Sequence, residues 1–234
     1  MEISSDIYPK IVAVIPAYNE EQHVREVVIS AIRHIPVLVV DDGSIDQTAQ
    51  IAERSGATVW RQIENQGKGA ALRAGFRWAL VQGYEGVITL DSDGQHDPEE
   101  IPSFVDTFHN GHKDLIIGVR QFEKMPPARR LGNHLGRILF SWAIGHQVPD
   151  NQSGYRLVSS RLMAACLESE ESGFEFEVEM IVTCLRNGMK LDSVPIKTIY
   201  ADEKSHIHPG SHIRNFIRVI LAARKKMTRK TFHG

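Results

Sequence analysis

Cysteine is scarce in this 234-residue chain: Cys166 and Cys184 are the only two. That is too few for a disulfide framework or a thiolate metal site, and it suits a reducing cytosol. Long apolar runs are missing as well. No uninterrupted stretch approaches the roughly 20 residues that cross a bilayer, and the opening "MEISSDIYPK" has neither the basic flank nor the apolar core of a secretory signal. Net charge is only −2, so nothing global points to nucleic acid or to a membrane. Repeats, low-complexity tracts and long linkers are also absent. These exclusions leave a cytoplasmic protein, soluble or at most peripheral. Its 42% apolar and 24% charged residues suit a globular fold rather than disorder. One unevenness stands out: from Arg214 to Lys230 there is no acidic residue.

The first half alternates short apolar runs with helical patterns, as βαβ units and a mostly parallel sheet require. "KIVAVIP", "VLVVDD", "ATVW", "GVITLD" and "DLIIGVR" read as strands. After the first, Asn19 is expected to cap a helix with apolar positions at Val24, Val27, Val28, Ala31, Ile32 and Ile35. Further helices are expected from about Asp46 to Gly56, over "GAALRAGFRWALVQG", and from about Pro98. The second half offers a helix over 129–144, the run "SGYRLV", helices near 159–168 and 176–187, and a strand "LDSVPIKTIY". The expectation is one α/β domain over residues 1–212, with the second half covering one face of the sheet. Residues 213–234 would add an amphipathic helix and a basic tail.

Ligands of open parallel sheets bind beyond the carboxyl ends of the strands. That rule selects "PAYNE" (Pro16 to Glu20), "DDGS" (Asp41 to Ser44), "DSDGQH" (Asp91 to His96) and "GVR" (Gly118 to Arg120). Together they would bring an aromatic ring, several carboxylates and an arginine to one edge, as a nucleotide requires. Taken singly, "PAYNE" is equally a helix start and "DDGS" an ordinary turn. "NQGKGA" lacks the spacing and the Ser/Thr after Lys of a phosphate-binding P-loop, and is rejected as one.

The acidic stretch "TLDSDGQHDPEEI" is tested by elimination. An EF-hand needs Gly at its sixth position, where His96 stands, and zinc would ask for more His or Cys. What remains is an open oxygen site at Asp91 and Asp93, with Gln95 as a possible helper, suited to Mg²⁺ or Mn²⁺ held largely by phosphates. Asp97, Glu99 and Glu100 fall to the start of the next helix.

In this order and spacing, "VIPAYNE", "VVDDGSIDQT", "NQGKGAALRAGF", "DSDGQHDPEEI" and "SGYRL" resemble the family 2 glycosyltransferases of GT-A fold, in particular the dolichyl-phosphate mannose synthase and polyprenyl-phosphate glycosyltransferase group. The resemblance implies an inverting, divalent-metal-dependent transfer of a sugar from a nucleoside diphosphate, with a polyprenyl phosphate as the favoured acceptor. It further implies that Pro16, Tyr18, Glu20 and Asp42 hold base and ribose, and that Asp91, Asp93 and Gln95 hold the metal. Arg120, Arg129 and Arg130 would lie near the diphosphate and the acceptor phosphate, and Ser153 and Gly154 would form an acceptor-side turn.

A phosphate acceptor is already ionised and needs no strong base. A hydroxyl acceptor would need one, for which Asp150 and Glu179 are the candidates, although Glu179 reads equally as a polar helix face. A third reading is a nucleotide-sugar-binding module without turnover. At the C-terminus, Ile213, Phe216, Ile217, Ile220 and Leu221 share one helical face beside Arg214, Arg218 and Arg224 to Lys226. That helix would either lie on an anionic membrane or dock on the core. His206, His208 and His212 are weak metal candidates and stronger ones for an acceptor loop.

Overall fold

The computed structural model describes residues 10–120, 127–173, 175–197 and 209–228, with only the backbone described for 127–135 and 209–217. The strands are β1 (Ile11–Ala17), β2 (Val37–Asp41), β3 (Thr58–Arg61), β4 (Gly86–Thr89), β5 (Leu115–Arg120), β6 (Arg156–Ser159) and β7 (Leu191–Ile196). They form one sheet in the order β3-β2-β1-β4-β6-β5-β7. Every pairing is parallel except those of β6, which runs antiparallel to both β4 and β5.

Helices cover both faces, so β1 and β2 are buried at every residue and read as near-continuous Val/Ile/Leu runs. Alternation decides which face each side chain serves. Val12 and Val14 of β1 join a cluster with α3 (Lys68–Val81), α5 (Pro127–Ile144), α6 (Ser160–Cys166), α7 (Glu175–Arg186) and α8 (Pro209–Thr228). Ile11, Ala13, Ile15 and Ala17 face α1 (Val24–Ala31), α2 (Thr48–Arg54) and α4 (Ile101–Gly111). The second half covers one face and also supplies strands: β7, as expected from "LDSVPIKTIY", at the sheet's edge, and β6, inserted between β4 and β5.

From β1 the chain steps outward to β2 and β3, then returns through α3 to β4 on the other side of β1. The reversal opens a crevice at the carboxyl ends of β1 and β4. Since β6 is antiparallel, it brings its preceding turn, Ser153–Tyr155, to that same edge.

Two local expectations change. Asn19 does not cap α1, which begins at Val24 after His23. Instead Asn19 takes a left-handed conformation (φ 55°), which its short polar side chain tolerates. Its N–H donates to Ser44 Oγ (2.9 Å) and its Oδ1 accepts from the Ile45 N–H (3.0 Å), tying the ends of β1 and β2 together. The apolar face expected in the C-terminal helix is divided: Ile220 is buried in the core with Ala223, while Leu221 points outward. The side chains of Ile213, Arg214, Phe216, Ile217 and His212 lie outside the described residues, as do His206 and His208 entirely. Among the described residues no helix is long and apolar enough to cross a membrane.

Candidate active site

The β1/β4 crevice holds a cleft of about 350 Å³. Pro16, Tyr18 and Glu20 line the β1 side, Asp91 and Asp93 the β4 side, and Asn65, Gly67 and Lys68 the start of α3. Tyr18 is 45% exposed, leaving its ring available as a platform.

The loop before α3 is held by Asp42. Its Oδ1 accepts from Gln62 Nε2 (2.7 Å) and the Gln66 N–H (2.9 Å), and its Oδ2 from the Gly67 N–H (2.8 Å). Asp42 thus shapes the cleft by fixing the 62–67 loop. Gly43 makes the close approach possible: at φ +76°, a Cβ there would sit 2.6 Å from the Glu64 carbonyl carbon.

That loop delivers Lys68 to the centre of the site. Its Nζ lies 2.6 Å from Asp91 Oδ1 and 2.8 Å from Glu177 Oε1. Burial alone would lower the lysine pKa, but Glu177 and Asp91 outweigh it and hold the ammonium well above its ordinary value. Burial likewise opposes ionisation of Asp91, yet Lys68, His96 and Arg156 keep its carboxyl below the usual range. Asp93 goes the other way: burial and the neighbouring Asp91 raise it, against the Gln95 N–H that donates to its Oδ1 (2.9 Å). Burial pushes the His96 imidazole down. Its Nδ1 accepts the Asp91 backbone N–H (3.0 Å), as a neutral ring does.

Behind these groups sits Arg156, wholly buried in β6. Its guanidinium donates to the carbonyls of Ser153 (2.7 Å), Asn151 (3.2 Å) and Glu177. The fork locks the Ser153–Gly154 turn to the first turn of α7. Gly154 is held in place on the other side by Thr89 Oγ1, which donates to its carbonyl (2.6 Å). A Cβ on Gly154 would stand 3.0 Å from Glu177 Oε1 and 3.1 Å from both Asp91 Oδ2 and Lys68 Nζ. A side chain at this position would press on all three charged groups and shift them by a few tenths of an ångström.

Pro16, Tyr18, Glu20, Asp42, Asp91 and Asp93 therefore share one cleft, and Gly154 abuts it. Gln95 contributes its backbone N–H to Asp93. Arg120 forms a two-point ion pair with the buried Asp150 (Nε to Oδ2 2.7 Å, NH2 to Oδ1 3.0 Å). Arg129 and Arg130 lie in the first turn of α5, with side chains outside the described residues. Glu179 is not brought to the cleft; it pairs with Lys226 of α8 (2.5 Å). Glu177, two residues earlier and 5% exposed, stands at the site instead. Asp97 caps the Pro98–Glu100 turn through the Glu99 N–H (3.1 Å), and Glu99 pairs with Arg33.

Sequence reasoning missed Lys68, Glu177 and Arg156. Glu177 has a readable signal, since it shares the buried phase of Met180, Ile181 and Cys184 at helical spacing. Arg156 is the charge inside an otherwise apolar strand, "YRLV".

The family model for glycosyl transferase family 2 matches residues 12–163. The chain belongs to this family. As a family 2 glycosyltransferase it is an enzyme of the glycosyl-transferring class. It is 32% identical over 205 residues to the undecaprenyl-phosphate mannosyltransferase of Micrococcus luteus, covering 80% of this chain and 82% of the relative. It is 29% identical over 215 residues to the UDP-N-acetylglucosamine–dolichyl-phosphate N-acetylglucosaminyltransferase of Methanococcus voltae, covering 81% and 85%. The fold matches the glucosyl-3-phosphoglycerate synthase of Mycobacterium tuberculosis in complex with Mn²⁺ and UDP-glucose, at a TM-score of 0.74 and 22% identity over 93% of this chain and 79% of that one. The GT-A expectation thus holds, as does the kinship with polyprenyl-phosphate transferases.

Among the described residues no three His, Cys, Asp or Glu side chains converge as a metal cage. The donor set at the β4 tip is two carboxylates open to the cleft. Such a set fits a hard divalent cation whose remaining ligands are phosphate oxygens and water.

Proposed function

We propose that this glycosyltransferase takes a sugar from a nucleoside diphosphate donor held in the β1/β4 cleft and transfers it, with inversion, to a polyprenyl phosphate. The carrying observation is the open pair Asp91 and Asp93 facing Pro16, Tyr18 and Glu20 across one cleft. In this reading Tyr18, Pro16 and Glu20 receive base and ribose, and Asp42 fixes the loop beside them. Asp91 and Asp93, with Gln95, would hold Mg²⁺ or Mn²⁺, which when bound supplies Lewis-acid stabilisation of charge growing on the leaving diphosphate. Lys68 keeps Asp91 ionised and fixed, and Arg120, Arg129 and Arg130 add positive charge for the diphosphate and the acceptor phosphate. Ser153 and Gly154 form the acceptor-side turn.

An ionised acceptor is supported by the state of the carboxylates weighed as bases. Asp150 is bound to Arg120 and Glu179 to Lys226, so neither is free to take a proton from a hydroxyl. Residues 1–212 would form the body of one transferase domain, and 213–234 would continue α8, which begins at Pro209 and docks Ile220 and Ala223 on that body, into a basic tail. A lipid acceptor places the enzyme at the cytoplasmic face of a membrane during turnover.

Calorimetric titration of UDP, GDP and their sugars, with and without Mn²⁺, tests the donor side. Wild type should bind one nucleotide series with metal dependence and Asp93→Ala should lose that dependence; unchanged metal-dependent binding would refute the metal assignment. Transfer of radiolabelled sugar to an organic-extractable polyprenyl phosphate tests the acceptor. Transfer to a soluble hydroxyl alone would replace it, and binding without any turnover would leave a non-catalytic module.

A further inference from the structure

We infer that His96 is a positioning residue for the transfer: its ring, held against Tyr155, fixes the backbone of Asp91 and so the place from which the Asp91 carboxylate meets the donor. This inference rests on the reading of Asp91 as a metal ligand given above. β4 pairs with β1 and with β6 as far as Thr89, and the Leu90 N–H still reaches the Val14 carbonyl (3.2 Å). Asp91 comes after both ladders, so its N–H needs another partner inside the protein. The chain supplies one five residues on. Gly94, at φ +76°, reverses the loop, the Gln95 N–H closes a turn on Asp93 Oδ1 (2.9 Å), and His96 returns to accept the Asp91 N–H at Nδ1 (3.0 Å). Residues 91–96 thus form a loop closed by a side chain, and both carboxylates of the metal reading stand on it.

The histidine itself stays out of the chemistry. It is 8% exposed, and the residues of this loop that line the cleft are Asp91, Ser92 and Asp93. Its Nε2 stands 3.9 Å from Asp91 Oδ2, beyond hydrogen-bond reach, so its hold on Asp91 runs through the backbone. An aromatic stack keeps the imidazole in place. The wholly buried Tyr155 ring lies 5.0 Å from it, centroid to centroid, and 4.5 Å from Phe104 of α4. The Tyr155 hydroxyl donates to the carbonyl of Asp97 (3.1 Å), the residue after the histidine. Tyr155 directly follows the Ser153–Gly154 turn, and its own carbonyl accepts the Gly118 N–H of β5 (2.9 Å). One stack therefore fixes the carboxylates on the donor side and the turn on the acceptor side relative to each other. A rigid spacer belongs at such a point, because misplacing a reacting group by about 1 Å costs about 10²-fold in rate.

Amide exchange and calorimetry on the full chain provide the test. His96→Asn puts an amide oxygen near the place of Nδ1, and His96→Phe keeps a ring but removes the acceptor. Without metal, the Asp91 amide should exchange slowly with deuterium in wild type and His96→Asn, and at least about tenfold faster in His96→Phe. Mn²⁺ should raise the wild-type affinity for UDP or GDP. That gain should fall about 10- to 100-fold in His96→Phe and return to within about threefold of wild type in His96→Asn, with metal-free nucleotide affinity the same in all three. His96→Gln, whose amide reaches the place of Nε2 instead, should behave as the phenylalanine variant does, and it replaces that variant if the latter does not fold. An asparagine variant as impaired as these two would overturn the inference, as would undiminished Asp91 protection and Mn²⁺ gain in His96→Phe or His96→Gln. If the exchange rates order as stated but Mn²⁺ adds nothing to wild-type affinity, the metal reading fails and the tether on Asp91 stands.

Discussion

Replacing Lys68 with Met removes the positive charge between Asp91 and Glu177 while keeping most of the side chain's length. Both carboxylates, 2.6 Å and 2.8 Å from the ammonium, would then lie in the protein without it. Deleting one partner of a buried ion pair costs about 3–5 kcal/mol. Asp91 retains His96 and Arg156 nearby, so the expected loss is in the lower part of that range, about 3–4 kcal/mol. Adding Glu177→Gln should return about 1–2 kcal/mol, because a neutral amide no longer needs the cation. The pH dependence has a definite sign. Asp91, depressed in the fold, contributes stability at neutral pH that is lost as pH falls below its unfolded value of about 3.9 and through its lower folded one. Without Lys68 burial raises Asp91, the folded state takes up protons more readily, and the variant gains stability as pH falls. Urea unfolding followed by circular dichroism, at neutral pH and at about pH 5, should show the gap to wild type narrowing in acid. A gap of equal size at both pH values, with additive effects of Lys68→Met and Glu177→Gln, would refute the ion-pair account.

Gly154→Ala should fold with a loss of about 1–3 kcal/mol, yet lower the transfer rate by about 10²-fold through displaced Asp91; thermal melts and steady-state rates separate the two effects. Gly43→Ala meets both a left-handed backbone and the Glu64 backbone at 2.6 Å, so a loss of at least about 2 kcal/mol is expected by thermal unfolding. Arg156→Met leaves three carbonyls without their donor, at a cost of about 3 kcal/mol. Arg156→Lys should recover little of it, because an ammonium lacks the planar fork; a full recovery in denaturant titrations would count against that geometry.

The strands were legible because β-branched runs between helical patterns have few other outcomes, and the carboxyl-edge rule then pointed to Tyr18, Asp91 and Asp93 before any contact was known. Lys68 was lost for a specific reason. The spacing of "NQGKGA" does not fit a P-loop, and outside that motif its lysine carries no local signal of a role. Its task depends on residues 23 and 109 positions away, and only the sheet order brings Asp91 and Glu177 to it. Glu177 and Glu179 differ by about 200° around a helix, so one must face away from the site, and the buried phase of Met180 and Ile181 decides which. Asn19 misled because its residue type suits a cap and a left-handed turn equally, and the partner loop at Ser44 and Ile45 settled the competition.

The position of β6 has a further consequence for how the enzyme matures. Every residue lining the cleft lies before position 94, so an emerging N-terminal half already contains the groove's walls. Lys68, which keeps Asp91 ionised, is already among them, but the groups that complete its surroundings arrive only with the second half: Glu177 to share Lys68, Gly154 to leave room, and Arg156 to tie turn and helix together. An unfinished chain would thus have the shape of the groove without its charge balance. Binding competence can precede catalytic competence during synthesis, and the antiparallel strand is the seam at which the second is added to the first.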